Sequence, residues 1–166
     1  FTTGKDDSKN ILTIKYASSG KELWTAVYEG PENSDGKDAA GNSIALDQSG
    51  NVFVTGYTHG GVFGKDFCTI KYNSNGDQIW VRNFAGAGSL EDSDDEGKAI
   101  AADNDGAVIV TGISNGSGTG YDFFTVKYSS DGSQLWARSF NGQAGSDDIV
   151  KGIKIDSKNN VIITGT

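Results

Sequence analysis

Apolar and β-branched residues along this chain gather into runs of four to seven, separated by short clusters of Ser, Asn, Asp and Gly. The runs ILTIKY, FCTIKY and FFTVKY start at Ile11, Phe67 and Phe123, and a second set begins at Trp24, Trp80 and Trp136. A third set reads SIALD, AIAAD and GIKID, and a fourth NVFVTG, AVIVTG and NVIITG. Such runs are too short and too rich in Val, Ile, Thr and aromatics for helices, so each predicts a strand and no helix is expected anywhere. The connections agree. ASSG, NSNG and SSDG join the first run to the second, and DQSG, DNDG and DSKN join the third to the fourth. These are tight-hairpin sequences, with Gly or Asn where a positive φ is needed.

The whole pattern recurs with a period of 56: Trp24, Trp80 and Trp136 fall at that interval, as do Ile11, Phe67 and Phe123. Thr164-Gly165 comes 53 residues after Thr111-Gly112, because the third copy's acidic loop is three residues shorter. A period of several tens of residues means stacked structural repeats. Runs such as Val52, Phe53, Val54 and Phe123, Phe124, Val126 are apolar on both alternating faces, so each small sheet must be covered on two sides. Four-stranded sheets stacked face to face around an axis meet that need. The expected fold is therefore all-β: a β-propeller segment of three four-stranded antiparallel blades. The blades are expected at 11–66, 67–122 and 123–166, after a strand end and linker at 1–10.

The recurring I-A-x-D-x-x-G-N-V-x-V-T-G of Ile44 to Gly56, with D-F-x-T-I/V-K-Y and G-x-Q-I/L-W, resembles the bacterial SBBP β-propeller repeat family. It is more weakly similar to NHL-type propeller repeats. The SBBP resemblance implies a secreted or cell-surface bacterial protein and carries over no catalytic residue. Phe1 to Gly4 aligns with Phe53 to Gly56 as the end of a fourth run, and the sequence lacks methionine; a processed product or a window from a longer protein is expected. Three blades are fewer than the roughly four to eight that close a propeller. Expected partners are thus further blades of the same chain or other copies of it, and two copies would supply six.

Charge narrows the partners further. A formal charge of −8 repels phosphate backbones and anionic headgroups, which argues against nucleic acid. No apolar run approaches the roughly 18 residues of a membrane span, so no membrane insertion is expected. The one cysteine, Cys68, can form neither an internal disulfide nor a Cys-rich zinc cage.

Candidate chemistry is sparse. Asp38, Asp94 and Asp147 recur in acidic loops, the richest being Glu91 to Glu96, and clustered carboxylates can hold Ca²⁺. Against this, no copy carries an EF-hand-like ligand spacing, and solvated or turn-capping carboxylates explain the same residues. Trp24, Trp80 and Trp136 are candidates for sugar stacking once per blade; the alternative is that they fill the space between neighbouring sheets, with acceptors for their N–H groups from recurring Thr or Asp. Lys15, Lys71 and Lys127 share one strand face, either lining an anion channel or reaching to carboxylates at the blade edge. The only histidine, His59, recurs in no other copy and offers no triad. Asn115-Gly116-Ser117 matches a glycosylation sequon.

The reading is a non-enzymatic extracellular scaffold or interaction segment without catalytic residues or a cofactor. The alternatives are a multivalent carbohydrate-binding propeller and, more remotely, the propeller portion of a secreted hydrolase.

Overall fold

The structure, a computed structural model, describes residues 9–31, 38–59, 64–84, 94–115, 120–142 and 146–166. Twelve strands follow one another there, with no helix among the described residues. They are β1 (Ile11–Tyr16), β2 (Glu22–Tyr28), β3 (Ala39–Leu46), β4 (Val52–His59), β5 (Lys65–Tyr72) and β6 (Gln78–Phe84). The second half repeats the pattern as β7 (Glu96–Ala102), β8 (Val108–Asn115), β9 (Tyr121–Tyr128), β10 (Gln134–Phe140), β11 (Val150–Ile155) and β12 (Val161–Gly165).

All four runs of each copy form strands, but they are not grouped into three four-stranded sheets. The sheets are β1-β2, β3-β4-β5-β6, β7-β8-β9-β10 and β11-β12, all antiparallel. The fourth run of one copy pairs with the first run of the next, as when β4 pairs with β5 from Val52 opposite Tyr72 to His59 opposite Lys65. The physical reason lies in the connections. The segments between the fourth and first runs are short enough to turn a hairpin, whereas the longer acidic segments after the second run carry the chain to the next sheet. Strands β3, β7 and β11 lie side by side as the inner edges of successive sheets, leaving β2, β6 and β10 outermost.

The hairpin chemistry is as the sequence predicts. Gly20, Gly76 and Gly132 have φ of 82°, 91° and 85°, and Asn159, standing where Gly50 and Gly106 do, is at φ 62°. The Thr-Gly pair that ends each fourth run has a different cause. The third-run strands shift register between Gly41 and Ser43, between Gly97 and Ala99, and between Val150 and Gly152. This bulge drives a carbonyl toward the partner strand, so a Cβ on Gly112 would lie 1.9 Å from the Glu96 oxygen, and one on Gly56 1.8 Å from the Ala40 oxygen. The adjacent Thr55 and Thr111 are fully buried and donate to the carbonyls of Cys68 (3.0 Å) and Phe124 (3.2 Å).

Two apolar layers fill the spaces between sheets. One holds Ile11, Val52, Val54, Cys68, Ile70 and Tyr72, between β1-β2 and the first four-stranded sheet. The other lies between the two four-stranded sheets, where Trp80 meets Phe53 at 5.9 Å and Tyr128 at 6.0 Å between ring centroids. Burial differs along the series: Trp80 is 6% exposed, while Trp24 and Trp136 are half-buried. Trp80→Ala is therefore expected to cost about 3–5 kcal/mol in a urea titration, and Trp136→Ala about 1 kcal/mol or less. Equal losses would show that the two indoles share one environment.

Candidate functional site

The recurring polar residues stand at the junctions between sheets. Asp38, Asp94 and Asp147 each accept, through Oδ1, a backbone N–H at or just before the start of a strand of the preceding sheet: Lys9, ahead of β1, and Lys65 and Tyr121, which begin β5 and β9, at 3.0 Å in every case. The carboxylate caps a donor that the neighbouring strand leaves unpaired. Lys9 Nζ adds a 3.0 Å ion pair to Asp38, and the Lys9 backbone bond in particular holds that carboxyl below its ordinary range. The three aspartates sit one per junction and are not brought together. Among the described residues, no three His, Cys, Asp or Glu side chains gather as a metal site would require. Glu91, Asp92 and Ser93 of the acidic loop lie outside the described residues, as do Gly116 and Ser117 of the sequon.

At the other end of the junctions, the tryptophans and lysines act together. Trp24 Nε1 and Lys15 Nζ both donate to the Ser74 carbonyl, at 3.1 and 3.0 Å. One repeat later, Trp80 Nε1 and Lys71 Nζ donate to the Ser130 carbonyl, at 3.2 and 2.8 Å. Each acceptor belongs to the hairpin turn of the next sheet, and is a backbone carbonyl rather than the Thr or Asp expected. The indole lies over that turn's glycine: a Cβ on Gly76 would stand 2.7 Å from Trp24 Cδ2, and one on Gly132 3.0 Å from Trp80 Cδ2. Arg82 Nε adds a 2.7 Å bond to the Gly132 carbonyl. Sequence reasoning missed these turns as partners. Their signal was present, because Ser18, Ser74 and Ser130 recur with the period, but a carbonyl acceptor imposes no side-chain type.

Lys127 departs from its siblings and pairs instead with Asp103, at 2.6 Å. Asp47 and Asp156 each satisfy Oδ2 with the side-chain amide of Asn51 or Asn160, at 2.7 Å. The middle copy has Ala107 at that place, so Asp103 has no amide partner there and the Lys127 ammonium takes its position. Burial alone would raise the Asp103 carboxyl, but Lys127 and the N–H groups of Ala107 and Asp105 hold it below the usual range. Glu96 is similar: burial opposes ionisation, and the ammoniums of Lys65 and Lys98 outweigh it. His59 is tied to the fold, with Nδ1 3.0 Å from the Asp38 carbonyl and its ring edge-on to Tyr57.

Clefts open among the described residues beside the two-stranded sheets. One of about 430 Å³ is lined by Phe123, Trp136, Arg138, Phe140, Val161 and Ile163. Another, of about 540 Å³, is bordered by Lys15, Tyr16, Trp24, Ile44, Leu46 and Val52.

This arrangement is an all-β array of stacked antiparallel sheets. Residues 33–64 match the family model of SBBP, a beta-propeller repeat. No curated protein matches the chain. Among solved structures, the fold is shared with a protein of unknown function from Bacteroides caccae, at a TM-score of 0.55 and 15% identity. The match covers 94% of this chain and 50% of that one, so the chain spans half the length of that structure.

Two outcomes follow from the junction chemistry. Asp94→Ala is expected to lower stability by about 1 kcal/mol while excess chelator leaves the melting midpoint of the unaltered protein unchanged; a midpoint that falls with chelator would make these aspartates metal ligands. Because the Asp103 and Glu96 carboxyls are depressed, their contribution is full above the unfolded-state value near pH 4 and is lost as pH falls through the folded-state value. Thermal melts should thus show stability declining below about pH 5, and Asp103→Asn should flatten that decline. An undiminished acid slope in Asp103→Asn would mean that this carboxyl does not contribute to it.

Proposed function

We propose that this chain is a non-enzymatic interaction scaffold of propeller blades, acting at the surface of a bacterial cell or outside it, with protein as its partner. The observation that carries the reading is the use of the recurring polar side chains. Asp38, Asp94, Asp147, Lys15, Lys71, Trp24 and Trp80 are engaged in holding one sheet to the next. What remains exposed is apolar sheet surface, including Ile44 (59%), Leu46 (64%), Phe140 (64%) and Ile162 (56%). Exposed apolar surface, beside strand edges that are unpaired among the described residues, suits protein contacts. The SBBP resemblance supplies the bacterial, extracellular setting, and the charge of −8 disfavours nucleic acid.

A second reading, carbohydrate binding, is favoured at one place only. Trp136 is half-buried, lines the 430 Å³ cleft and has Arg138 and Phe140 beside it, whereas the other two indoles lie over the glycines of neighbouring turns. Titrating neutral mono- and oligosaccharides against tryptophan fluorescence separates the two. The scaffold reading expects no saturable change; a saturable signal abolished by Trp136→Ala would replace it with the sugar-binding one.

A further inference from the structure

The outermost strands share an irregularity. Lys71 stands opposite Trp80 and Tyr72 opposite Gln78, so Ile79 is left without a partner; Leu135 is skipped in the same way between Gln134 and Trp136, and Leu23 between Glu22 and Trp24. Each of these strands thus carries one extra residue, a β-bulge, just after its hairpin turn. In every case that residue is a large aliphatic one, and in every case it is exposed, by 53% at Ile79 and 54% at Leu135 and Leu23. The agreement shows that stacking does not cover this position. Ile79 is followed by a four-stranded sheet and Leu135 by a two-stranded one, yet the two are equally open. The hairpin turns at this end of the sheets, 17–21, 47–51, 73–77, 103–107, 129–133 and 156–160, all belong to the described residues.

Single exposed aliphatics are ordinary on any surface. These recur with the repeat, and in the two four-stranded sheets each has a carboxylate close by in sequence. Asp77, exposed, comes two residues before Ile79, and Asp131, exposed, four before Leu135. Both are bonded by neutral groups: Asn73 Nδ2 donates to Asp77 Oδ2 at 2.8 Å, and the Ser129 hydroxyl donates to Asp131. The Ser129 bond holds the Asp131 carboxyl below its ordinary range, which keeps it ionised at neutral pH. Segments 73–79 and 129–135 contain no Lys or Arg. The cations of the adjoining strands are already engaged: Lys71 with the Ser130 carbonyl, Arg82 with those of Gly132 and Val81, Arg138 with that of Ala137, and Lys127 with Asp103. Each four-stranded sheet therefore presents one aliphatic side chain and one carboxylate free of a basic partner among the described residues.

We infer that this row of bulge residues is a docking surface for a basic, amphipathic segment of another protein, whose apolar side chains pack on Ile79 and Leu135 while its Lys or Arg side chains meet Asp77 and Asp131. The inference rests on the scaffold reading and names the chemistry of its partner. Three observations select that occupant. The bulge interrupts the regular row of donors and acceptors at this end of the outer edge, so the partner is held by side chains and not by strand addition. A second copy of this chain would set carboxylate against carboxylate on a molecule that already carries a formal charge of −8, and the same charge draws a basic segment in. The surface is also held ready. Ile79 directly precedes Trp80, which is 6% exposed and bonded to the turn of the next sheet, so little freedom is lost when a partner packs against it. Leu23 continues the row on the first sheet, where Lys21 beside Glu22 offsets the acidic character.

The test uses the full chain and two labelled synthetic peptides of equal length, one alternating Leu with Lys and the other Ser with Lys. Fluorescence anisotropy at low salt should show the Leu-Lys peptide binding saturably and the Ser-Lys peptide at least about tenfold more weakly. Ile79→Ser combined with Leu135→Ser should weaken Leu-Lys binding at least about tenfold and leave the melting midpoint unchanged, because both side chains are exposed. Asp77→Asn combined with Asp131→Asn should lower the affinity and flatten its dependence on salt. Ile149→Ser, at an exposed apolar residue just ahead of β11, should leave binding as it is. Absence of saturable binding, equal binding of the two peptides, or an equal loss in Ile149→Ser overturns the proposal. So does self-association of the chain that Ile79→Ser with Leu135→Ser abolishes, since a second copy would then be the occupant. The sugar titration at Trp136 is untouched by these outcomes, so the docking row and the scaffold reading fail separately.

Discussion

Everything in this molecule depends on how one small sheet is fastened to the next, and the fastening is a backbone carbonyl in a hairpin turn. Ser74 and Ser130 each receive an indole N–H and a lysine ammonium from the preceding sheet. That solves two problems with one acceptor. A Trp packed between sheets must find a partner for its N–H, and a Lys on the same face must carry its charge out of the apolar layer to a polar site. The turn supplies both at the rim, provided its fourth residue has no side chain. The glycine therefore serves twice, adopting positive φ and leaving room for the indole.

The aspartates fasten the opposite end by a different route. Each is held by a backbone N–H at or just before the start of a strand, so the sheets are joined at two levels with the apolar layer between. Because the aspartate cap recurs at three junctions and the indole–lysine grip at two, the period in the sequence is a period of junctions as much as of strands. Stability in such an array comes from each sheet and its nearest neighbours. The middle sheets, covered on both faces, hold the fully buried Phe53, Ile70, Val108 and Val110. Equivalent positions in the two-stranded sheets, such as Ile14 and Ile162, remain partly open.

Strands, turns and period were legible in the sequence because each has a local signal: alternation, Gly or Asn at a fixed offset, and the returning tryptophan. The grouping of strands into sheets was not. The residue types of the two links do not distinguish a hairpin from a crossover, since both are polar; their lengths do, the link after the fourth run being the shorter, and the sheet boundary falls half a repeat away from the visible one. The bulge that makes Gly56 and Gly112 obligatory was also hidden, since Ala39 to Asn42 and Glu96 to Lys98 read as loop. The acidic recurrence left both a ligand and a capping role open, because a carboxylate near a strand end looks the same in sequence either way. The amides that these aspartates cap became visible only with the positions of Lys9, Lys65 and Tyr121.

Lys127 ties these themes together. Its siblings reach forward to a turn; it reaches back to Asp103, whose side-chain amide partner is lost through Ala107. A carboxylate is the stronger partner for an ammonium than a neutral carbonyl, so Lys127 stays with Asp103 in an ion pair that Lys15 and Lys71 do not make. Releasing it would leave Asp103 buried with Oδ2 unserved, a cost that an Asn at position 107 would remove. An Ala where the other copies have Asn, in the turn between β7 and β8, thus redirects a lysine of β9 from a neighbouring turn to a carboxylate of its own sheet.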